Sequence, residues 1–329
     1  MSCLLLNFLV IAELCGAENR ILFSGKINNV WDIYTCNTDG EDVKAVTDTL
    51  LPEGNPIFWH RKNLVLSSFM NDEGRFGIQA IDLSGKIVWS YSEKDCSIGW
   101  PCPSPFDDRI LAVCEASDAS VRPGVINFPE KKFDVFFENE NYTSGGQMAW
   151  IDSENILVTR TFRRNAIFSE TVREVRNSST SGNLISGRYL LESFMTDRSE
   201  SSDILTRSIT GNDEKVLVSG GRNWLPCSNP TNGGSPFFFT RRVGQISSIF
   251  SLFKDNSNVW NYENVTNSRI YDWQPSISPD GSQLIFLSLR DGNFRIILRE
   301  IAENSEREIV LKGFEQIFHP TIISTTSRF

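Results

Sequence analysis

The stretch WQPSISPDGSQLIFLS, Trp273 to Ser288, decides the fold. Its centre, Ser278-Pro279-Asp280-Gly281, is a turn: proline presets φ near −65°, Asp bonds its own backbone, and Gly tolerates positive φ. Leu284, Ile285 and Phe286 then supply bulky apolar side chains suited to a half-buried pleated surface. A strand, a tight turn and a second strand follow, which is a common hairpin and carries no function by itself.

The hairpin matters because it recurs. Strands equivalent to LIFLS at Leu284 are ILFSG at Ile21, LVLSS at Leu64, ILAVC at Ile110, ILVTR at Ile156, YLLES at Tyr189 and FFFTR at Phe237. Their offsets lie mostly in the mid-forties, with one of 33 residues between Ile156 and Tyr189. Before these strands come NPIFWHRKN, WPCPSPFDDR, QMAWIDSEN, WLPCSNPTNGG and WQPSISPDGSQ, each an apolar strand and a polar turn. After them come third strands such as DIYTC, GIQAI and NFRIIL, then short fourth strands such as VKAVT, KIVWS, KVLVS and REIVL.

Four short antiparallel strands at a period of forty-odd residues mark a β-propeller blade. The near period-two alternation excludes a helical solenoid. Counting second strands predicts an all-β chain with seven blades. Six with an irregular insert is the alternative, because NSSTSGNLISGRYLLES leaves little room for a first strand. The chain enters at Ile21 with a second strand and leaves with HPTIIS, His319 to Ser324, which matches a first strand. The C-terminal strand is therefore expected to pair with the N-terminal blade and close the ring, removing an exposed edge. No linker divides residues 18–329, which read as one domain.

The repeats resemble the TolB-like propeller family, whose blades carry a Ser-Pro-Asp-Gly hairpin followed by an IxFxS strand. Pro275 to Gly281 with Ile285-Phe-Leu-Ser288 carries the likeness, as does Asp32 to Glu41 with Val46-Thr47. It covers roughly residues 20 to 324 and implies the propeller fold, while one superfold hosts many activities. The TolB translocation protein has an additional N-terminal domain for which this chain leaves no room, so a role outside that system is expected. Propellers of this type also accompany the hydrolase domain of prolyl peptidases, but no GxSxG elbow occurs here. Oligogalacturonate lyase, a third relative, uses a histidine-rich metal site, and this chain has only His60 and His319.

A net charge of −9 over 329 residues argues against a nucleic-acid surface. RTFRR at Arg160 and TRR at Thr240 are short, and read as solvated strand edges. Residues 1–17, MSCLLLNFLVIAELCGA, have the apolar run of a secretory signal with Ala17 at a plausible cleavage point, though no basic start. An apolar first strand is the other reading of the same residues. A signal would place the protein in the periplasm or outside the cell; no segment is long enough for an integral membrane span. Cys96 and Cys102 could staple a loop in an oxidising compartment, or remain free thiols like Cys36, Cys114 and Cys227. Asn141, Asn177 and Asn264 head glycosylation sequons that are frequent by chance.

In a propeller, first strands line the central channel. Aligning the repeats on the strand proline places Asn55, Trp100, Gln147, Leu225, Gln274 and His319 at one mouth, with Trp224, Asp272 and Trp273 within two positions. Exposed tryptophan faces there would stack on sugars or peptide side chains, and the amides, Asp272 and His319 would orient a ligand. The alternative makes the tryptophans wedges between blades, the role expected of Trp59 and Trp150. Asp272 and His319 could form an acid–base pair, or His319 could simply cap a loop. His60 occupies the turn position and is expected to face solvent. No catalytic group, metal site or cofactor is assigned. The leading expectation is a non-catalytic, exported propeller that binds a protein or peptide; a carbohydrate-binding or carbohydrate-active funnel is the alternative.

Overall fold

A computed structural model describes residues 18–116, 121–128, 130–136, 147–162, 201–211, 213–244, 246–268 and 271–325. It contains six four-stranded sheets, each antiparallel throughout. Blade one joins both ends of the chain: Gln316–Thr325, Glu18–Ile27, Val30–Asn37 and Lys44–Ala45. Blade two is Glu53–Trp59, Leu64–Met70, Phe76–Ile81 and Ile87–Tyr91. Blade three is Cys96–Pro103, Arg109–Ala116, Val121–Asn127 and Lys132–Val135. Blade four is Ala149–Trp150, Asn155–Phe162, Ser201–Ser208 and Glu214–Val218. Blade five is Arg222–Asn229, Gly233–Val243, Ile246–Lys254 and Trp260–Asn264. Blade six is Asp272–Ile277, Gln283–Arg290, Asn293–Glu300 and Ser305–Ile309.

The blade count corrects the expectation of seven. Asn155–Phe162 pairs residue for residue with Ser201–Ser208, from Asn155 opposite Ser208 to Phe162 opposite Ser201. Residues 163–200 are thus inserted between the second and third strands of one blade, and Tyr189, counted as a blade of its own, lies outside the described residues. The hairpin from Trp273 to Ser288 folds as its chemistry dictates. Gly281 takes φ +77° and its N–H donates to the Ser278 carbonyl at 2.9 Å, which aligns Ile277 opposite Leu284.

Why do the second strands read as unbroken apolar runs when the strand period is two? Both faces of each are covered. Leu284 and Phe286 pack with Cys227, Phe238 and Ile249 of blade five, while Ile285 and Leu287 pack with Ile21, Phe23 and Phe318 of blade one. Leu22 faces blade two instead, meeting Phe58 and Val65. Leu66 packs with Ile110 and Ala112, Leu111 with Ile156 and Val158, and Leu157 with Phe237 and Phe239. Alternate residues of one strand therefore serve two different interfaces, and blade six packs on blade one as the others pack on their successors.

The ends of the chain share blade one. Glu18–Ile27 pairs with Gln316–Thr325, with Ile21 opposite Ile322 and Lys26 opposite Gln316. Of the two alternatives for Cys96 and Cys102, the structure shows free thiols: both residues lie on the single strand Cys96–Pro103. Their partners on the next strand, Ala116 and Leu111, lie five residues apart, which at about 3.3 Å per residue separates the two Cα atoms by roughly 17 Å, far beyond disulfide reach. Among the described residues no helix is long and apolar enough to cross a membrane.

Phe286 is 1% exposed at the interface of blades five and six. Phe286→Ala is expected to destabilise the protein by about 3–5 kcal/mol through lost burial and the cavity left behind. Urea unfolding checks this, as a lower midpoint at unchanged slope.

Candidate ligand-binding site

The first strands do not pair continuously. Register breaks occur between Gly54 and Ile57, Gly99 and Cys102, Trp224 and Cys227, and Trp273 and Ser276. A fifth lies in blade one, where Leu22 opposes Thr321 but Ser24 opposes Phe318. Each break holds an X-Pro dipeptide, since proline has no N–H for the ladder. The residue before proline is left-handed every time: Asn55 φ +52°, Trp100 +58°, Leu225 +53°, Gln274 +53° and His319 +54°. A non-glycine residue pays on the order of 1–2 kcal/mol for that conformation, and such a bulge re-aims its side chain.

Four of these residues, Asn55, Trp100, Gln274 and His319, together with Gln147 line one cavity of about 40 Å³, walled by Pro56, Pro101, Pro275 and Pro320. Five of the six residues expected at the channel mouth are thereby brought together. Leu225 instead sinks into the core beside Trp224 and Trp273.

The polar atoms of the cavity form a partial network. The His319 backbone N–H donates to Gln274 Oε1 at 2.9 Å. Asn55 Nδ2 donates to Ser68 Oγ at 3.4 Å, and the same hydroxyl accepts from the Trp100 backbone N–H at 3.3 Å. His319 Nδ1 lies 3.5 Å from Ser24 Oγ, and its ring meets Trp100 edge to face at 5.3 Å. Three buried atoms of the cavity have no hydrogen-bond partner among the described residues: Asn55 Oδ1, Gln274 Nε2 and His319 Nε2. Burial alone pushes the His319 pKa down to about 3, so the imidazole is neutral at ordinary pH.

The other expected residues lie elsewhere, for a geometric reason. Trp224 and Trp273 each sit one position before the left-handed residue, so strand alternation sends their rings to the opposite side. They are 3% and 1% exposed, and Trp273 packs against Phe294 and Phe318 at 5.4 and 5.9 Å. The reading of exposed tryptophan faces is corrected for both, whose alternative as wedges is the one observed, while Trp100 is half-buried beside the cavity. Trp59 and Trp150 are core wedges whose indole N–H groups donate to the carbonyls of Ser104 and Cys102.

Asp272 is buried and bonds Ser288, Thr266 and Ser268, while desolvation raises its pKa. It does not pair with His319, whose polar contacts are Gln274 and Ser24. Glu53 holds the matching place in blade two, bonding Thr47, Thr49 and Gln79, again with burial raising its pKa. Thr47 and Thr266 accept the backbone N–H of Ile33 and Ile249. The acids at the start of a blade are thus ties to the preceding blade. His60 is corrected too: it is half-buried, edge-on to Phe58 at 4.8 Å, and burial lowers its pKa to about 4.

Sequence reasoning missed Ser24, Ser68, Ser276 and Thr321. The recurring serine at the end of second strands was visible, but not the first-strand bulge that brings it to the mouth. Among the described residues no three His, Cys, Asp or Glu side chains cluster as a metal site.

Set against known proteins, the architecture is that of a TolB-like β-propeller. TolB from Acinetobacter baumannii superposes with a TM-score of 0.66 at 14% identity, covering 92% of this chain and 66% of that one. A putative TolB from Agrobacterium tumefaciens gives 0.56 at 17% identity, covering 89% of both chains. Oligogalacturonate lyase, solved in complex with manganese, gives 0.50 at 12% identity, covering 89% of this chain and 73% of that one. No protein-family model and no curated protein sequence matches the chain. The likeness is one of fold.

Because desolvation favours the neutral imidazole, both histidines are expected to stay uncharged from about pH 5 to 8. Imidazole NMR titration should show His60 charging only near pH 4 and His319 lower still. An inflection near 6.5 for His319 would show that the ring is in water.

Proposed function

We propose that this chain is a non-catalytic binding propeller, exported from the cytoplasm, with its ring closed through blade one, that docks a protein or peptide segment on the mouth formed by the pre-proline residues. The observation that carries the reading is the convergence of left-handed Asn55, Trp100, Gln274 and His319 on one small cavity. Backbone strain repeated at one place and kept by the surrounding sheets fits a binding clamp. Half-buried Trp100 offers an aromatic anchor of the kind that dominates protein contacts.

The chemistry of the mouth favours binding over turnover. Glycoside cleavage calls for two carboxylates flanking the scissile bond, and none is among the residues lining this cavity. The nearest acids by sequence, Glu53 and Asp272, are buried and tie blades together. With one tryptophan at the mouth, a stacked glycan has a single platform. Export rests on the character of residues 1–17, which lie outside the described part of the chain.

Panning the full chain against a random peptide library tests the docking reading. Selected peptides should lose at least about tenfold in affinity on Trp100→Ala, the cost of an interface anchor, and keep it on Val259→Ala, an exposed position. Peptides indifferent to Trp100, or capture of glycans alone on an array, would overturn it. N-terminal sequencing of the exported protein should begin near Glu18; an intact Met1 would contradict export.

A further inference from the structure

Within the mouth, the three unpartnered atoms have a definite chemical complement. Gln274 Oε1 is already engaged by the His319 backbone N–H, which fixes the amide so that Nε2 is left as a free donor. Asn55 directs Nδ2 to Ser68, which leaves Oδ1 as a free acceptor. His319 Nε2 is the third, a donor or acceptor according to tautomer. Leaving such groups buried and unmatched is costly, so a site of this kind favours a ligand that satisfies all of them.

The wall narrows the choice further. Pro56, Pro101, Pro275 and Pro320 bring no N–H of their own, so none of the four can donate to a ligand. No lining residue is a Lys, Arg, Asp or Glu, so nothing there would compensate an ion stripped of water. A carboxylate would set oxygen against Asn55 Oδ1, and an ammonium would set N–H against Gln274 Nε2. A cavity of about 40 Å³ holds roughly three water-sized groups, the number of heavy atoms in a carboxamide.

We infer that the cavity is a subsite for a neutral carboxamide of the docked segment, its carbonyl accepting from Gln274 Nε2 and its N–H donating to Asn55 Oδ1. His319 Nε2 meets the remaining lone pair or N–H, and Trp100 closes one side. This rests on the docking reading above and specifies what the partner inserts: an Asn or Gln side chain, or a main-chain peptide unit.

Small probes test the subsite without any partner. The chain has two histidines, so ¹⁵N correlation spectra of the imidazoles read the cavity at His319, with His60 as an internal control. Acetamide should shift the His319 nitrogens saturably, and acetate and methylammonium should bind at least about tenfold more weakly, as expected of mismatched polar groups. Saturation by acetamide alone assigns a side-chain amide; saturation by N-methylacetamide as well assigns a peptide unit. Gln274→Leu should weaken acetamide by about tenfold. Should that variant fail to fold, Asn55→Asp serves instead, and is expected to turn the preference towards methylammonium.

Shifts that stay linear with every probe, or acetate binding as well as acetamide, would overturn the subsite. If the amides fail while selected peptides still depend on Trp100, only the subsite falls. If amides saturate the site and no peptide is selected, only the docking reading falls.

Discussion

Every second strand in this protein is shared between two interfaces. Ile285 and Leu287 belong to the contact with blade one, while Leu284 and Phe286 belong to the contact with blade five. A lone blade would expose one of those rows, so no blade can bury its own apolar surface without two neighbours. The same requirement falls on blade one, whose sheet is assembled from the two ends of the chain. Its Ile21 and Phe23 need blade six on one side, and Leu22 needs blade two on the other.

That mutual burial lets the inner edge depart from regular pairing. A proline in each of five first strands breaks the ladder and is preceded by a left-handed residue. Each departure is unfavourable by itself, and the cores on either side hold it in place. The buried acids do related work at the seams. Glu53 and Asp272 are held by threonine and serine hydroxyls of segments that follow the previous blade's last strand. The cavity is polar and uncharged because no Lys, Arg, Asp or Glu lines it and burial keeps His319 neutral.

Much of this could be read from the amino-acid sequence, because hairpin chemistry and period-two alternation are local. The Ser278–Gly281 turn and the strand order within a blade follow from neighbouring residues, and the pairing of Gln316–Thr325 with Glu18–Ile27 from the phase of the repeat at the two segments. The blade count did not, since YLLES at Tyr189 matches a second strand in composition while Asn155–Phe162 pairs directly with Ser201–Ser208. Alignment on the strand proline found Asn55, Trp100, Gln274 and His319, because proline marks the bulge that turns them inward, and found Gln147 by its equivalent place before Met148. It misplaced Trp224 and Trp273, since a one-residue step along a strand reverses the face and only the observed bulge says which residue takes which side. The hydroxyls of Ser24 and Ser68 come from neighbouring strands, a contact that no spacing in the sequence encodes.

The shared blade is where the account is most exposed, and native-state amide hydrogen exchange reads it directly. If both ends build one sheet inside the packed structure, amides in Glu18–Ile27 and Gln316–Thr325 will be protected together, opening with the same free energy as core strands such as Gln283–Arg290. Exchange of the C-terminal strand at the rate of an unstructured peptide, while the other blades stay protected, would contradict it.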